Sequence, residues 1–212
     1  DGGAALWQSI QAQCPDTPLT LASQGIMVVG TPVGTADFCS EALEARLTRV
    51  VADLPKIAVV PDGLIHFQLL RSCLNVRLSY WLRCSAPSIT RPTAAKFDKA
   101  IIESLAGYLQ CPGLNQTFGD LPDVNEDTSP ELLQLRDAMI QLRLPVRDGG
   151  GGLTSAAALV VPSFYSAFAS TVQWLASTSE RHRAVLPPSF NHPAACPSGF
   201  LGEYHSACQA LG

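Results

Sequence analysis

The sequence predicts a mainly α-helical fold with a small β element near residues 25–35. Apolar residues recur at three- and four-residue spacing along most of the chain, which is typical of amphipathic helices. One short apolar run flanked by glycines interrupts this spacing near the N-terminus. Because 47% of the 212 residues are apolar, the chain can bury a sizeable core.

The first part of the chain contains the predicted β element. Residues 4–13 suit a short helix that ends before Pro15 and Pro18. The run GIMVVG at 25–30 suits a buried strand, and TPVG at 31–34 suits a tight turn followed by a second short strand. The glycines at both ends of the run permit close backbone approach and positive φ.

Four helices are predicted next, each from its apolar spacing. Thr90 is predicted to cap the fourth of them, with Pro92 near its first turn. The four helices cover residues 35–54, the segment after Pro61, residues 76–84 and residues 90–109.

The C-terminal half is predicted to form a second helical unit. Residues 111–128 are rich in Pro, Gly, Asn and Asp, so they are predicted to be a surface loop and the internal boundary. A helix from Ser129 to Pro145, a flexible joint at glycines 149–152 and a long apolar helix at 155–176 should follow. The predicted units are therefore residues 1–35, 36–110 and 129–212, the last with an irregular tail.

The composition excludes a global electrostatic attraction to nucleic acid or membrane. Charged residues make up only 15% of the chain, and the net charge is −4. The charge is uneven, however: residues 37–99 hold nine Lys or Arg against six Asp or Glu, whereas residues 100–212 hold five against ten. Any attraction to phosphates is therefore expected to be local.

The seven cysteines are scattered without a CxxC pair, and several lie within apolar helical patterns. They are predicted to be reduced, buried thiols of an intracellular protein of the nucleus or cytoplasm. No signal-peptide pattern is evident, and no apolar run approaches the ~20 residues of a membrane span, so no membrane partner is expected. Because the chain begins at Asp1 and not at Met, we expect a fragment of a longer protein.

Three segments together resemble the region after the catalytic core in reverse transcriptases of retroelements that lack long terminal repeats. GIMVVGTPVGT at 25–35 is similar to the Gly-apolar-Gly-x-Pro-x-Gly turn that closes the palm subdomain in this family. RSCLNVRLSYWLRCSAP at 71–87 resembles a segment of the thumb. LPVRDGGGGLTSAAALVVPSFYSAF at 144–168 resembles a downstream Gly-Gly-x-Gly-Leu-x-Ser-Ala signature, although the family commonly has a large apolar residue at Gly151 and a basic residue at Thr154.

The resemblance implies a palm-end hairpin beside the primer terminus and a thumb-like helical bundle that grips the duplex. Family members, which are RNA-directed DNA polymerases, hold two metal ions with acidic residues that include an adjacent Asp pair upstream of this turn. This chain has no Asp-Asp pair. It is therefore expected to lack catalytic residues, metal ligands and cofactors, with Mg²⁺ in the absent core. The implied partners are an RNA template and DNA primer duplex, bound weakly, and the upstream palm segment of the same parent chain.

The resemblance also assigns candidate binding residues. Cations spaced over successive helices can track a phosphate backbone without reading bases. The alternative is that they belong to ordinary solvated helix faces. The phosphate candidates are Arg71, Arg77, Arg83, Arg91, Lys96 and Lys99, and the primer-grip-like turn is marked by Gly25, Gly30, Thr31 and Gly34.

Other site chemistry has less support. The glycines at 149–152 are not followed by Gly-Lys-Ser/Thr, which argues against a P-loop, and no Gly-x-Ser-x-Gly elbow indicates a hydrolase. Zinc ligands could come from a tail whose spacing matches no common finger, so unconnected loop residues are the simpler interpretation. Those tail residues are His182, His192, Cys196, His205 and Cys208.

A rival interpretation makes the chain a stand-alone helical protein-interaction module without enzymatic activity. Its contact surface would be the long apolar stretch at 155–176. Four aromatic residues that could stack on bases are predicted to pack in the core instead, because they lie at helical spacing among apolar residues. They are Tyr80, Trp81, Tyr165 and Trp174.

Overall fold

The computed structural model is mainly helical with one two-stranded hairpin, which confirms the predicted fold class. It describes residues 2–13, 22–111, 114, 128–178 and 203. Most of the predicted loop at 111–128 and the tail residues considered for zinc lie outside these ranges. The same holds for all but residue 203 of the segment 202–211, whose sequence predicts a last short helix. The described α-helices are α1 (Gly2–Gln13), α2 (Ala36–Val51), α3 (Leu54–Ala58), α4 (Gly63–Leu69), α5 (Ser79–Cys84), α6 (Pro87–Leu109), α7 (Pro130–Arg143) and α8 (Ala156–Thr178).

Strands β1 (Gly25–Val28) and β2 (Thr31–Gly34) pair antiparallel, with Gly25 opposite Gly34. The connecting residues Val29 and Gly30 have φ values of 50° and 80°, which are those of a type I′ turn. The prediction that the first strand is buried was wrong, since residues 26–28 are exposed. Ile26 and Val28 lie on the hairpin face opposite Pro32, and Thr31 is the one residue of that face that is buried.

Several helices begin or end at residues other than those that the sequence predicts. The helix predicted at 35–54 stops at Val51, and α3 begins at Leu54 with Pro55 in its first turn. The helix predicted from residue 76 begins only at Ser79, after a π-helical segment at Leu70–Leu74 and a turn. Thr90 does not cap α6, because α6 begins at Pro87, and Pro92 lies inside the helix. Pro162 likewise lies within α8 and does not end it.

One hydrophobic core joins parts of the chain on both sides of the predicted boundary. Helix α8 packs against α5 and α6. Phe97 and Ile101 of α6 share the core with Met139 of α7 and Val160 of α8. The N-terminal half of the long apolar stretch is therefore used inside the molecule.

The glycine segment at 149–152 is a compact turn and not the predicted flexible joint. The amide N–H of Gly151 donates to Gln141 O, and that of Gly152 donates to Leu144 O, both at 2.9 Å. A Cβ atom on Gly151 would lie 2.9 Å from Leu142 O. The large apolar residue common at this position in the resembling family would therefore collide with the backbone of α7.

A buried carboxylate of α6 accepts the hydrogen bonds of the N-terminus of α8. Asp98, only 3% exposed, accepts hydrogen bonds from Ser155 Oγ at 2.6 Å, Ala156 N at 2.7 Å and Ala157 N at 2.9 Å. Ser155 Oγ also accepts from Ala158 N at 3.1 Å, which makes Ser155 the N-cap of the helix. The Ser-Ala part of the downstream motif thus has a structural role.

The thiols are less buried than predicted. Among the described residues, Cys39 is buried and Cys111 is half-buried, but Cys73 and Cys84 are exposed because they lie on the outer faces of short helices. No helix in the described part of the chain combines the length and apolar character that crossing a bilayer requires.

Candidate nucleic-acid interface

The hairpin is fixed to α2 by one of its two faces. Pro32 is buried, and its carbonyl accepts a hydrogen bond from Cys39 Sγ at 3.5 Å. A Cβ atom on Gly25 would lie 2.3 Å from Cδ1 of Phe38, so only glycine allows this ring to cover the strand. Thr35 Oγ1 accepts from Phe38 N at 3.3 Å and caps α2 immediately after the hairpin. These contacts make the hairpin and α2 one structural unit.

The four predicted primer-grip-like residues all lie in this hairpin. Gly25 and Gly34 pair at its open end, where a Cβ atom on Gly34 would lie 2.3 Å from Gln24 O. Gly30 supplies the second positive φ of the turn, and Thr31 is buried. Three of the four positions therefore have roles in backbone geometry.

A groove of about 430 Å³ lies between the hairpin, α2 and α5, and we call it the hairpin groove. Its walls include Arg46 and Arg49 of α2, Tyr80 and Trp81 of α5 and the turn residue Val29. The two arginines are three residues apart and so lie on one face of the helix. The hydroxyl of Tyr80 donates to Val29 O at 2.9 Å, which ties the hairpin tip to α5.

The hairpin groove carries two positive charges that no described acidic side chain neutralises. The guanidinium of Arg46 lies 5.1 Å from the centroid of the Trp81 ring, within cation–π distance. In the described part of the chain, neither Arg46 nor Arg49 has an acidic side chain within ion-pair distance. Both arginines are exposed and can meet an anion from solvent.

The six predicted phosphate contacts are placed elsewhere, since none of them lines the hairpin groove. Three are ion-paired within the chain, and these are Arg77 with Asp53, Lys96 with Glu44 at 2.9 Å, and Lys99 with Glu103 at 3.8 Å. Hydrogen bonds from Lys56 and from Arg77 lower the pKa of Asp53, which keeps its carboxylate charged. Such pairs reduce the charge that these cations offer to a phosphate.

The other three differ from one another. Arg71 is half-buried, and its guanidinium donates to Gly151 O at 3.3 Å and to Gln68 Oε1 at 2.7 Å, so it supports the glycine turn. Arg83 and Arg91 are exposed on α5 and α6 and have no acidic partner within ion-pair distance among the described residues.

Sequence reasoning missed the arginines of the groove and misplaced two aromatic residues. Arg46 and Arg49 read as polar positions of an amphipathic helix, and nothing local shows which face of α2 the hairpin adjoins. Trp81 is buried as predicted, but Tyr80 is 45% exposed and Trp174 is 62% exposed, so the core prediction was wrong for both. The sequence between α2 and α5 offers one usable signal for the groove, which is a pair of adjacent aromatic residues with basic residues on either side.

Comparison with known proteins adds no relative. No family model matches the chain, and neither the curated proteins nor the solved structures contain a significant match. Within the described ranges, no cluster of His, Cys, Asp and Glu is arranged to hold a metal ion.

Replacing Val29 with asparagine is expected to raise the free energy of unfolding by about 1 kcal/mol, because a β-branched residue is strained at positive φ and asparagine is not. Val29 has a φ of 50° and is 86% exposed, so the change removes strain and little burial. Urea denaturation followed by circular dichroism measures the effect. The control is Val59→Asn, at a residue that is 79% exposed with a φ of −81°, which should not gain stability. A less stable Val29→Asn protein would contradict the strain argument.

Proposed function

We propose that this chain is the palm end and thumb of a reverse transcriptase from a retroelement without long terminal repeats, and that it holds a primer–template duplex without catalysing polymerisation. The observation that carries the proposal is the hairpin groove. It places two arginines without an acidic partner among the described residues, and two aromatic side chains, beside the hairpin whose sequence resembles the palm-closing turn. The catalytic aspartates and their Mg²⁺ would belong to the upstream palm segment.

The chemistry of the groove suits a phosphate backbone. Arg46 and Arg49 are about 4.5 Å apart along the helix axis, so both guanidinium groups can contact the backbone of the same strand. Guanidinium groups bind phosphate oxygens through paired donors and do not distinguish one base sequence from another. Binding that ignores sequence is what a polymerase thumb requires.

The outer face of the hairpin supports the second implied partner. Ile26, Val28 and Val33 lie on the face opposite Pro32 and are 51%, 43% and 52% exposed. Contiguous exposed apolar side chains on a strand pair indicate a surface that another segment covers. In the proposal, that segment is the upstream palm of the same parent chain.

Reversing the charge of Arg49 is expected to weaken binding to a short RNA–DNA hybrid about tenfold, because one phosphate contact becomes a repulsion. Fluorescence anisotropy with a labelled hybrid measures the dissociation constant, which we expect to be micromolar or weaker. With two phosphate contacts, wild-type affinity should fall roughly tenfold between about 50 and about 200 mM salt.

The matched control is Arg147→Glu, which makes the same charge change at an 86% exposed side chain on the short helix Val146–Asp148. It should alter affinity less than about twofold. Equal weakening by Arg147→Glu and Arg49→Glu would show that binding reflects total charge and not the hairpin groove. Charge reversal at Arg71, Arg77 and Lys99 tests the sequence-based assignment in the same assay.

The second candidate function is the protein-interaction module, and the exposure of Trp174 favours it. This indole is 62% exposed near the C-terminal end of α8, beyond the part of the helix that is buried in the core. Large exposed aromatic residues often anchor protein interfaces. Absence of hybrid binding at low salt would favour this function over the first.

A further inference from the structure

Trp81 lines the hairpin groove, but its indole is almost entirely enclosed. Only 7% of the residue is exposed, and it belongs to the core that includes Leu43 and Leu47 of α2. Arg46 lies three residues after Leu43, so it borders the buried face of α2. This position lets the guanidinium of Arg46 lie over the indole, with its carbon Cζ 5.1 Å from the ring centroid.

A nucleobase would find little surface on Trp81. Stacking requires an aromatic face that is open to the base. With 7% exposure and a guanidinium over its ring, the indole does not offer such a face. Any contribution of Trp81 to the binding of a nucleic acid must therefore pass through Arg46.

The contact with the ring restricts the positions that the charge of Arg46 can take. An exposed arginine side chain samples many rotamers, and ordering it on binding costs free energy. A guanidinium that already lies over an aromatic ring has met part of that cost before the ligand arrives. Since an indole offers a donor and no acceptor, the N–H groups of Arg46 remain available to phosphate oxygens.

Helix α5 holds both walls of the hairpin groove. Trp81 contacts Arg46 on the wall that α2 forms. The adjacent residue Tyr80 donates its hydroxyl to Val29 O at the hairpin tip, at 2.9 Å. Two neighbouring residues of one helix thus fix the cationic wall and the hairpin tip relative to each other.

We infer that Trp81 is a positioning residue, which holds the guanidinium of Arg46 in the hairpin groove and acts on a bound duplex only through that guanidinium. The inference rests on the proposed function, because it assigns a role in binding the same duplex. It also means that the aromatic residue next to the cations serves contact with the phosphate backbone and not the reading of bases.

Replacing Trp81 with leucine is expected to weaken binding of the RNA–DNA hybrid about threefold, because Arg46 loses its contact with the ring. In an Arg46→Ala background the same replacement should have no further effect, since no guanidinium is left to position. Fluorescence anisotropy with the full 212-residue chain measures both dissociation constants. Trp81→Phe keeps an aromatic face and should retain most of the affinity.

The matched control is Trp174→Leu. It removes an exposed indole of α8 that does not line the hairpin groove, so hybrid affinity should stay unchanged.

A second measurement tests the inference even if Trp81→Leu does not fold. In the wild-type protein, the ring current of Trp81 should move the Nε–Hε resonance of Arg46 upfield in NMR spectra. Arg46→Ala identifies this resonance by its loss. The upfield shift should persist when the hybrid is added, and a resonance at the ordinary position of a solvated arginine in either state would overturn the inference.

The binding data separate this inference from the proposed function. Equal weakening by Trp81→Leu in the wild-type and Arg46→Ala backgrounds would overturn the inference, because Trp81 would then act independently of Arg46. If Arg46→Ala and Arg49→Glu weaken binding while Trp81→Leu does not, the proposed function stands and the positioning role is rejected. If neither arginine variant changes hybrid affinity, the proposed function itself is rejected, whatever the NMR shift.

Discussion

Replacing Gly150 with alanine is expected to lower the free energy of unfolding by about 3 kcal/mol, because the new methyl group meets backbone atoms that cannot move aside. A Cβ atom at this position would lie 2.1 Å from Leu144 O and 2.3 Å from Leu144 Cβ. Relieving the overlap would displace a turn in which Gly150 N donates to Pro145 O at 3.1 Å. Urea denaturation followed by circular dichroism gives the change in unfolding free energy.

The chain offers a matched control in Gly107. It lies inside α6, where an added Cβ atom would meet nothing within 4 Å. Gly107→Ala should therefore raise the free energy of unfolding by about 0.5–1 kcal/mol, the usual gain of alanine over glycine in a helix. If Gly150→Ala matched Gly107→Ala, the segment at 149–152 would be the flexible joint that the sequence predicts and not a packed turn.

Removing the carboxylate of Asp98 is the second change with a large expected effect. Asp98→Ala should lower the free energy of unfolding by about 3 kcal/mol, since it strips the acceptor from two amides at the start of α8 and from Ser155 Oγ. The control is Asp137→Ala, at an exposed residue of α7, which should change stability by less than about 0.5 kcal/mol. A loss no larger than that of the control would mean that the amides find other partners.

The same carboxylate should make stability depend on pH. Burial raises the pKa of Asp98 above its ordinary value of 3.8, although the hydrogen bonds it accepts and the charge of Arg143 act in the opposite direction. Between 3.8 and the raised pKa, the folded protein holds more protons on this group than the unfolded chain does. Its contribution to stability is therefore fully present below that window and is lost as the pH rises through it.

The measurement is the difference in unfolding free energy between wild type and Asp98→Asn over a pH series, because asparagine does not titrate. Wild type should lose stability relative to Asp98→Asn as the pH rises through the window. If wild type instead gained stability relative to Asp98→Asn as the pH rises, the hydrogen bonds would outweigh burial and hold the pKa of Asp98 below its ordinary value.

Tertiary contacts explain why parts of the candidate site escaped sequence reasoning. The cationic residues 77 and 96 are visible in the sequence, but their acidic partners lie 24 and 52 positions away. Lys99 is different, because it pairs with Glu103 at the local i,i+4 spacing. The hairpin was predicted correctly from its glycines, whereas the groove beside it depends on how α2 and α5 pack. Asp98 carries no local signal, because its partner Ser155 is 57 positions away.

The amino-acid sequence by itself determined the helical class, the hairpin and the approximate extent of most helices. These features follow from apolar spacing, glycine and proline, which act within a few neighbouring residues. Only the tertiary structure decided which cations line the hairpin groove, which hairpin residues are buried and that the glycine turn is packed. Each of these depends on contacts between segments far apart in the chain, and such contacts leave no periodic trace in the sequence.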